Sequence, residues 1–122
     1  DVAPVIPAIK AARVFYPPSN AIDASSNVTG ATKNLYQEYV NQYAPTAAPF
    51  TDTFVRSDVG GADEAPAAIP TYAADELYYY ITFYDDSVFD NVSISATGVM
   101  TYDIIAQPSD YNSLINVVFV VK

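Results

Sequence analysis

The sequence predicts an α+β fold in which one helix packs on an antiparallel β-meander. Two observations carry this expectation. Apolar residues recur at helical spacing in one stretch, Leu35 to Ala44, and at alternating spacing through much of Asp75 to Lys122. A change of period from 3.6 to 2 along a chain marks the passage from helix to sheet. A β-sandwich with one short helix is the alternative, because short strands bounded by turn residues also build two packed sheets.

Alternation is cleanest from Leu77 to Tyr84. It sends Leu77, Tyr79, Ile81 and Phe83 to one face and Tyr78, Tyr80, Thr82 and Tyr84 to the other. The first face is apolar and belongs to the core. The second is a row of phenols, apolar in body and polar at the tip. Beyond it, Asp85, Asp86, Ser87, Asp90 and Asn91 supply turn residues. Val92 to Ser95 and Val99 to Ile105 read as further strands, with Thr97-Gly98 between them as a turn or bulge. Leu114 to Val121 is apolar but for Asn116, which predicts a central strand covered on both sides. The expected covers are the helix on one side and the N-terminal arm or the Pro-rich connection on the other.

The helix carries its stripe on Leu35, Tyr36, Tyr39, Val40 and Tyr43. Asn34 is placed to cap it, with Gln37 three residues on as in a capping box. Pro45 ends it, since the residue before proline avoids the helical region. The row Tyr78, Tyr80 and Tyr84 has two competing readings: it is the surface against which this stripe packs, or it is a recognition platform left open. Elsewhere the chain reads as connection. Pro4 and Pro7 make residues 1–10 an extended arm, and Arg13 to Tyr16 is a short strand stopped by Pro17-Pro18. Ser19 to Gly30 reads as a loop, Phe50 to Arg56 as a short strand, and Asp58 to Glu64 as an acidic turn. No boundary divides residues 1–122, so a single domain is expected. A helix followed by a four-strand meander resembles the order of elements in cystatin-like folds, a likeness of fold that implies no activity.

Composition narrows the function classes. Five basic residues face 14 acidic ones, for a net charge of −9. Such a field repels phosphate backbones and anionic lipid, so nucleic acid and membrane surfaces are not expected partners. No apolar run reaches about 18 residues, so no transmembrane segment is expected. The start at Asp1-Val2-Ala3-Pro4 reads as a processed mature end or an artificially trimmed one, and the low Lys and high Tyr, Asn, Ser, Thr and Ala content fits an exported protein. An extracellular, periplasmic or cell-envelope location is expected. Asn27-Val28-Thr29 and Asn91-Val92-Ser93 match the N-glycosylation pattern, which matters only in a eukaryotic source.

Histidine and cysteine are both absent. Triads built on His, thiolate nucleophiles and zinc sites of the usual ligands are thereby excluded. No glycine motif cradles a phosphate, and no Ser-x-x-Lys pattern occurs. No cofactor, catalytic residue or metal site is assigned. A carboxylate pair remains as acid–base chemistry, with Glu76, Asp85, Asp86, Asp90 and Asp103 as candidates for a small glycosidase-like hydrolase. Asp58 to Glu64 and Asp85 to Asn91 are acidic loops with calcium-type ligands, but neither has the spacing of a known calcium loop. The tyrosines stand out: there are 11, against six Phe and no Trp. Tyr offers large contact area at low entropy cost and is enriched at interfaces. These observations predict a non-enzymatic secreted or cell-envelope binding module, with Tyr78, Tyr80 and Tyr84 as its ligand-binding residues and a protein or carbohydrate as partner.

Overall fold

A computed structural model describes residues 14, 15, 17 and 20–122. The expected extended arm, residues 1–10, lies outside the described residues. The strands are β1 (Val14–Phe15), β2 (Asn20–Asp23), β3 (Val28–Asn34), β4 (Leu77–Phe83), β5 (Phe89–Ile94), β6 (Val99–Ile104) and β7 (Asn112–Val121). Among the described residues the only α-helix is α1 (Leu35–Tyr43).

The strands form two antiparallel sheets. In the first, β7 is central: β4 pairs along one edge, while β1 and β2 share the other. In the second, β6 lies between β3 and β5. The second half is therefore not a four-strand meander. The chain leaves β4 for the other sheet, makes the β5–β6 hairpin there, and returns in β7 to pair with β4. Local periodicity specifies that these segments are strands but not which partner each takes. Antiparallel sheets with one helix are consistent with the α+β expectation, but the cystatin-like order of elements is not borne out.

One buried cluster joins the two sheets and the helix. Leu77, Ile115, Val117, Phe119 and Val121 come from the first sheet, Phe89, Met100, Tyr102 and Ile104 from the second, and Leu35 and Tyr39 from α1. Phe119 is 0% exposed, as a residue on the inner side of a central strand should be. Its outer neighbours are less covered: Val118 and Val120 are half-buried, and Leu114 is 58% exposed. The Pro-rich connection does not cover them. It runs beside the helix instead, where Ile69 N–H donates to Tyr43 O at 3.1 Å and Tyr36 Oη donates to Tyr72 O at 2.8 Å.

Helix α1 begins where expected. Asn34 is extended, and its side chain accepts the Gln37 amide at 3.0 Å. Gln37 turns away to Asn41, so the capping box is half made. A second cap comes from far along the chain. Gly98 O accepts the amides of Leu35 at 2.8 Å and Tyr36 at 3.3 Å, satisfying two donors that every helix start leaves open.

Two connections differ from expectation. Phe50–Thr53 is a turn of 3-10 helix rather than a strand, with Thr51 N–H on Ala47 O and Asp52 N–H on Pro49 O. The segment read as a loop from Ser19 to Gly30 instead contains β2 and the start of β3. The Asp58 turn is as expected, with Asp58 at φ +52 and Gly61 N–H on Asp58 O at 2.9 Å.

Candidate functional site

Strand β4 carries the tyrosines that the sequence singles out. Tyr78 and Tyr80 are 52% and 51% exposed on the outer face of the first sheet, opposite Val120 and Val118 on β7. The Lys122 ammonium stands 5.3 Å from the centre of the Tyr78 ring, within cation–π range. Tyr84 is not in this row. The β4–β7 register shifts between Ile81 and Phe83, leaving Phe83 57% exposed while Tyr84, past the strand end, packs edge-on to Phe89 at 6.4 Å. An irregularity of one residue exchanges the two faces, so strict alternation fails there.

The helix tyrosines do not meet Tyr78 and Tyr80. They lie on the opposite face of β4. Tyr39 meets Phe119 edge-on at 5.5 Å, and Tyr79 meets the same ring at 4.9 Å. The hydroxyls of this inner group are engaged with the segment before β4: Tyr36 donates to Tyr72 O, Tyr39 accepts the Tyr72 amide at 2.9 Å, and Tyr79 donates to Ala74 O at 2.7 Å. Burial raises the Tyr39 hydroxyl above its ordinary pKa and pushes Tyr79 up to about 12. These phenols are core and scaffold. Tyr78 and Tyr80 are left as an accessible pair.

Among the described residues, the outer edge of β4 is open. β4 pairs with β7 and with no other described strand. Two shallow grooves follow that edge. One, of about 310 Å³, lies between Leu77–Tyr80 and the segment Ile94-Ser95-Ala96, with Lys122 at its end. The other, of about 300 Å³, is lined by Ile81, Thr82, Phe83, Tyr84 and Asp86. A third, apolar groove of about 310 Å³ sits in the Pro-rich region around Phe54, Val55 and Ile69. Its Arg56 is engaged, donating to Ala65 O at 2.7 Å and pairing with Glu64 at 3.5 Å.

Of the candidate carboxylates, Glu76, Asp85 and Asp103 are used locally. Asp90 and Asp103 face each other across β5 and β6. Asp103 accepts the Gly30 amide at 2.8 Å and the Asn91 side-chain amide at 2.8 Å, and these bonds hold its carboxyl below the usual value. Asp85 is lowered likewise by the Ser87 hydroxyl and amide. A general acid needs the opposite shift. In the acidic turn, Asp58 accepts the Asp63 amide at 2.9 Å and Glu64 accepts the Gly60 amide at 3.3 Å. Among the described residues, no three acidic side chains converge on a cation position. No described helix is long and apolar enough to cross a membrane.

Comparison with known proteins finds no matching family model, no matching curated protein and no matching solved structure.

Proposed function

We propose that this protein is a non-enzymatic interaction module, secreted or attached to a cell envelope, that binds a partner along β4. The observation that carries the reading is the pairing of two features on one strand. Tyr78 and Tyr80 are half exposed on its outer face, and its edge has no described partner. Exposed aromatic residues over an apolar sheet face supply contact area, and free backbone groups supply directional hydrogen bonds. A polypeptide uses both, whereas a sugar uses only the rings. The absence of Trp further favours a protein over a carbohydrate.

The test is to pan a displayed library of random peptides against the wild-type chain and against a Tyr78→Ser/Tyr80→Ser variant. Enriched peptides that bind the wild type and lose the variant support the reading. Enrichment that is absent, or indifferent to the two substitutions, overturns it.

A further inference from the structure

The edge of β4 that has no partner among the described residues is defined residue by residue. Lys122 N–H donates to Glu76 O at 2.9 Å, and the antiparallel register then runs Leu77 with Val121, Tyr78 with Val120, Tyr79 with Phe119 and Tyr80 with Val118. In an antiparallel pair, alternate residues turn both backbone groups toward the neighbour. Glu76 faces β7, so Tyr78 and Tyr80 do as well. Leu77, Tyr79 and Ile81 turn their N–H and C=O groups away from β7, to the open side. The register is regular over this span and breaks only after Ile81.

The other sheet edges are blunted. β1 and β2 are short. β3 is broken between Val28 and Ala31, where Gly30 has φ +70. β5 is broken between Asp90 and Ser93, where Asn91 has φ +51. Short strands, bulges and charges are how sheets prevent unwanted pairing. From Leu77 to Tyr84 there is no charge and no proline. An edge that is regular, uncharged and flanked by exposed aromatic rings is a template for another strand.

Charge selects what that strand is. Asp75 and Glu76 stand at one end of β4, and Asp85 and Asp86 at the other. Lys122 is the cation beside this edge among the described residues, and it is already placed over Tyr78. A second copy pairing antiparallel on β4 would bring Asp75 and Glu76 against the Asp85–Asp86 end of its mate, twice. Like charges in that position oppose pairing.

We infer that the partner is an extended polypeptide segment, uncharged and alternating at its centre and basic at both ends, which adds as a strand to the free edge of β4. The inference rests on the reading of β4 as an interaction site. The added strand's backbone bonds Leu77, Tyr79 and Ile81. Its outward side chains lie beside Tyr78 and Tyr80, its inward ones enter the groove before Ile94-Ser95-Ala96, and its basic ends meet the two acidic pairs.

The test uses the full chain and short peptides with Val and Thr alternating through the centre. One carries paired Lys at each end, one carries paired Glu, and one has Lys ends with Pro at the central position. The Lys-ended peptide slows amide hydrogen exchange at Leu77, Tyr79 and Ile81 and leaves Tyr78 and Tyr80 unchanged. It binds about tenfold more tightly than the Glu-ended peptide, a difference within the range of rim charge pairs. The Pro peptide gives no protection, and an Asp75→Lys/Asp86→Lys variant reverses the charge preference. Both substituted residues are exposed, so the fold tolerates the change. Binding that leaves the three amides unprotected overturns strand addition, and equal affinity for the Lys and Glu peptides overturns the charge assignment. Protection that grows with protein concentration alone assigns the edge to a second copy and overturns the partner. No binding by any peptide overturns the inference as a whole. If library peptides require Tyr78 and Tyr80 yet leave these amides unprotected, strand addition falls while the interaction module stands. If no peptide requires those tyrosines, the module itself falls.

Discussion

The Gly98 carbonyl accepts the Leu35 amide at 2.8 Å, so a turn in the second sheet caps the helix that follows β3. The turn leaves no room for a side chain. Gly98 has φ +86, and a Cβ there would come within 2.8 Å of the Tyr79 ring and 2.9 Å of Tyr36 Cβ. Gly98→Ala combines a left-handed backbone penalty with overpacking, a loss of about 2–4 kcal/mol. Urea denaturation measures it. A loss below about 1 kcal/mol would mean that Tyr79 and Tyr36 shift freely, and that the cap is not a fixed joint.

Alkaline pH tests the inner tyrosines. Tyr79 is pushed up to about 12, chiefly by burial and then by its neighbours Tyr36, Tyr39 and Asp75. Burial raises Tyr39 and Tyr102 in the same direction. In the unfolded chain these phenols ionise near pH 10, so the folded state holds their protons more tightly. Their contribution is complete below about pH 10 and is lost as pH climbs from there toward 12. The melting temperature should hold up to about pH 10 and then fall. Tyr79→Phe should lose about 1 kcal/mol with the Ala74 bond and show a shallower alkaline fall. An equally steep fall in the variant would exclude Tyr79 as a source.

At acid pH the sign reverses. Asp103 holds the Gly30 amide of β3 and the Asn91 side chain of β5, both at breaks in those strands, and its pKa is lowered by these bonds. A carboxylate with a depressed folded pKa stabilises the protein above its ordinary value and loses that effect as pH drops through the folded one. Asp103→Ala should lower the melting temperature at neutral pH and flatten its decline below about pH 4. The same melting curve for both proteins at every pH would show that Asp103 is not the pin between the three strands. Asn91 belongs to a glycosylation-type triplet, yet its amide is engaged in this bond.

Calcium should have little effect. Asp58, Glu64 and Asp85 accept hydrogen bonds from their own turns, and no three described acids converge. A ligand specific to the native state raises the melting temperature by mass action. Calcium at millimolar levels should leave it unchanged. A saturable rise, lost in Asp58→Asn, would place a cation in the acidic turn.

What the sequence displayed were features set by near neighbours. The spacing of Leu35, Tyr39 and Tyr43 fixed the helix, Asn34 its start, and the apolar run in β7 its central place. Alternation correctly separated inner Tyr79 from outer Tyr78 and Tyr80. What it hid depends on distant residues. β3, with its Thr, Gly, Lys and Asn, has no apolar pattern; it is a strand because β6 pairs with it and Asp103 binds Gly30. Tyr84 left the expected row because the register slips after Ile81, a feature of the β4–β7 pairing. The open edge of β4 was equally illegible, since β5 is the nearer partner in sequence and β7 the actual one.

The last prediction concerns β7 itself. It pairs with β4 on one side and with β1 and β2 on the other, so the first sheet has no continuity without it. Ile115, Val117, Phe119 and Val121 are all buried on its inner face. Phe119 also makes T-shaped ring contacts with Tyr39 and Tyr79, and thereby joins helix to sheet. Phe119→Ala should cost about 3–5 kcal/mol, since the fixed rings around it cannot collapse into the space. Removing residues 114–122 should unfold the chain, because the loss of several such side chains exceeds a typical total stability of about 5–15 kcal/mol. Circular dichroism and amide dispersion report the outcome. The milder Phe119→Leu variant should remain folded with a lower denaturation midpoint, which separates loss of packing from loss of the strand. A truncated chain that kept its sheet signal and its Tyr39 environment would show that β4 and the second sheet fold without β7, and the core assignment would fail.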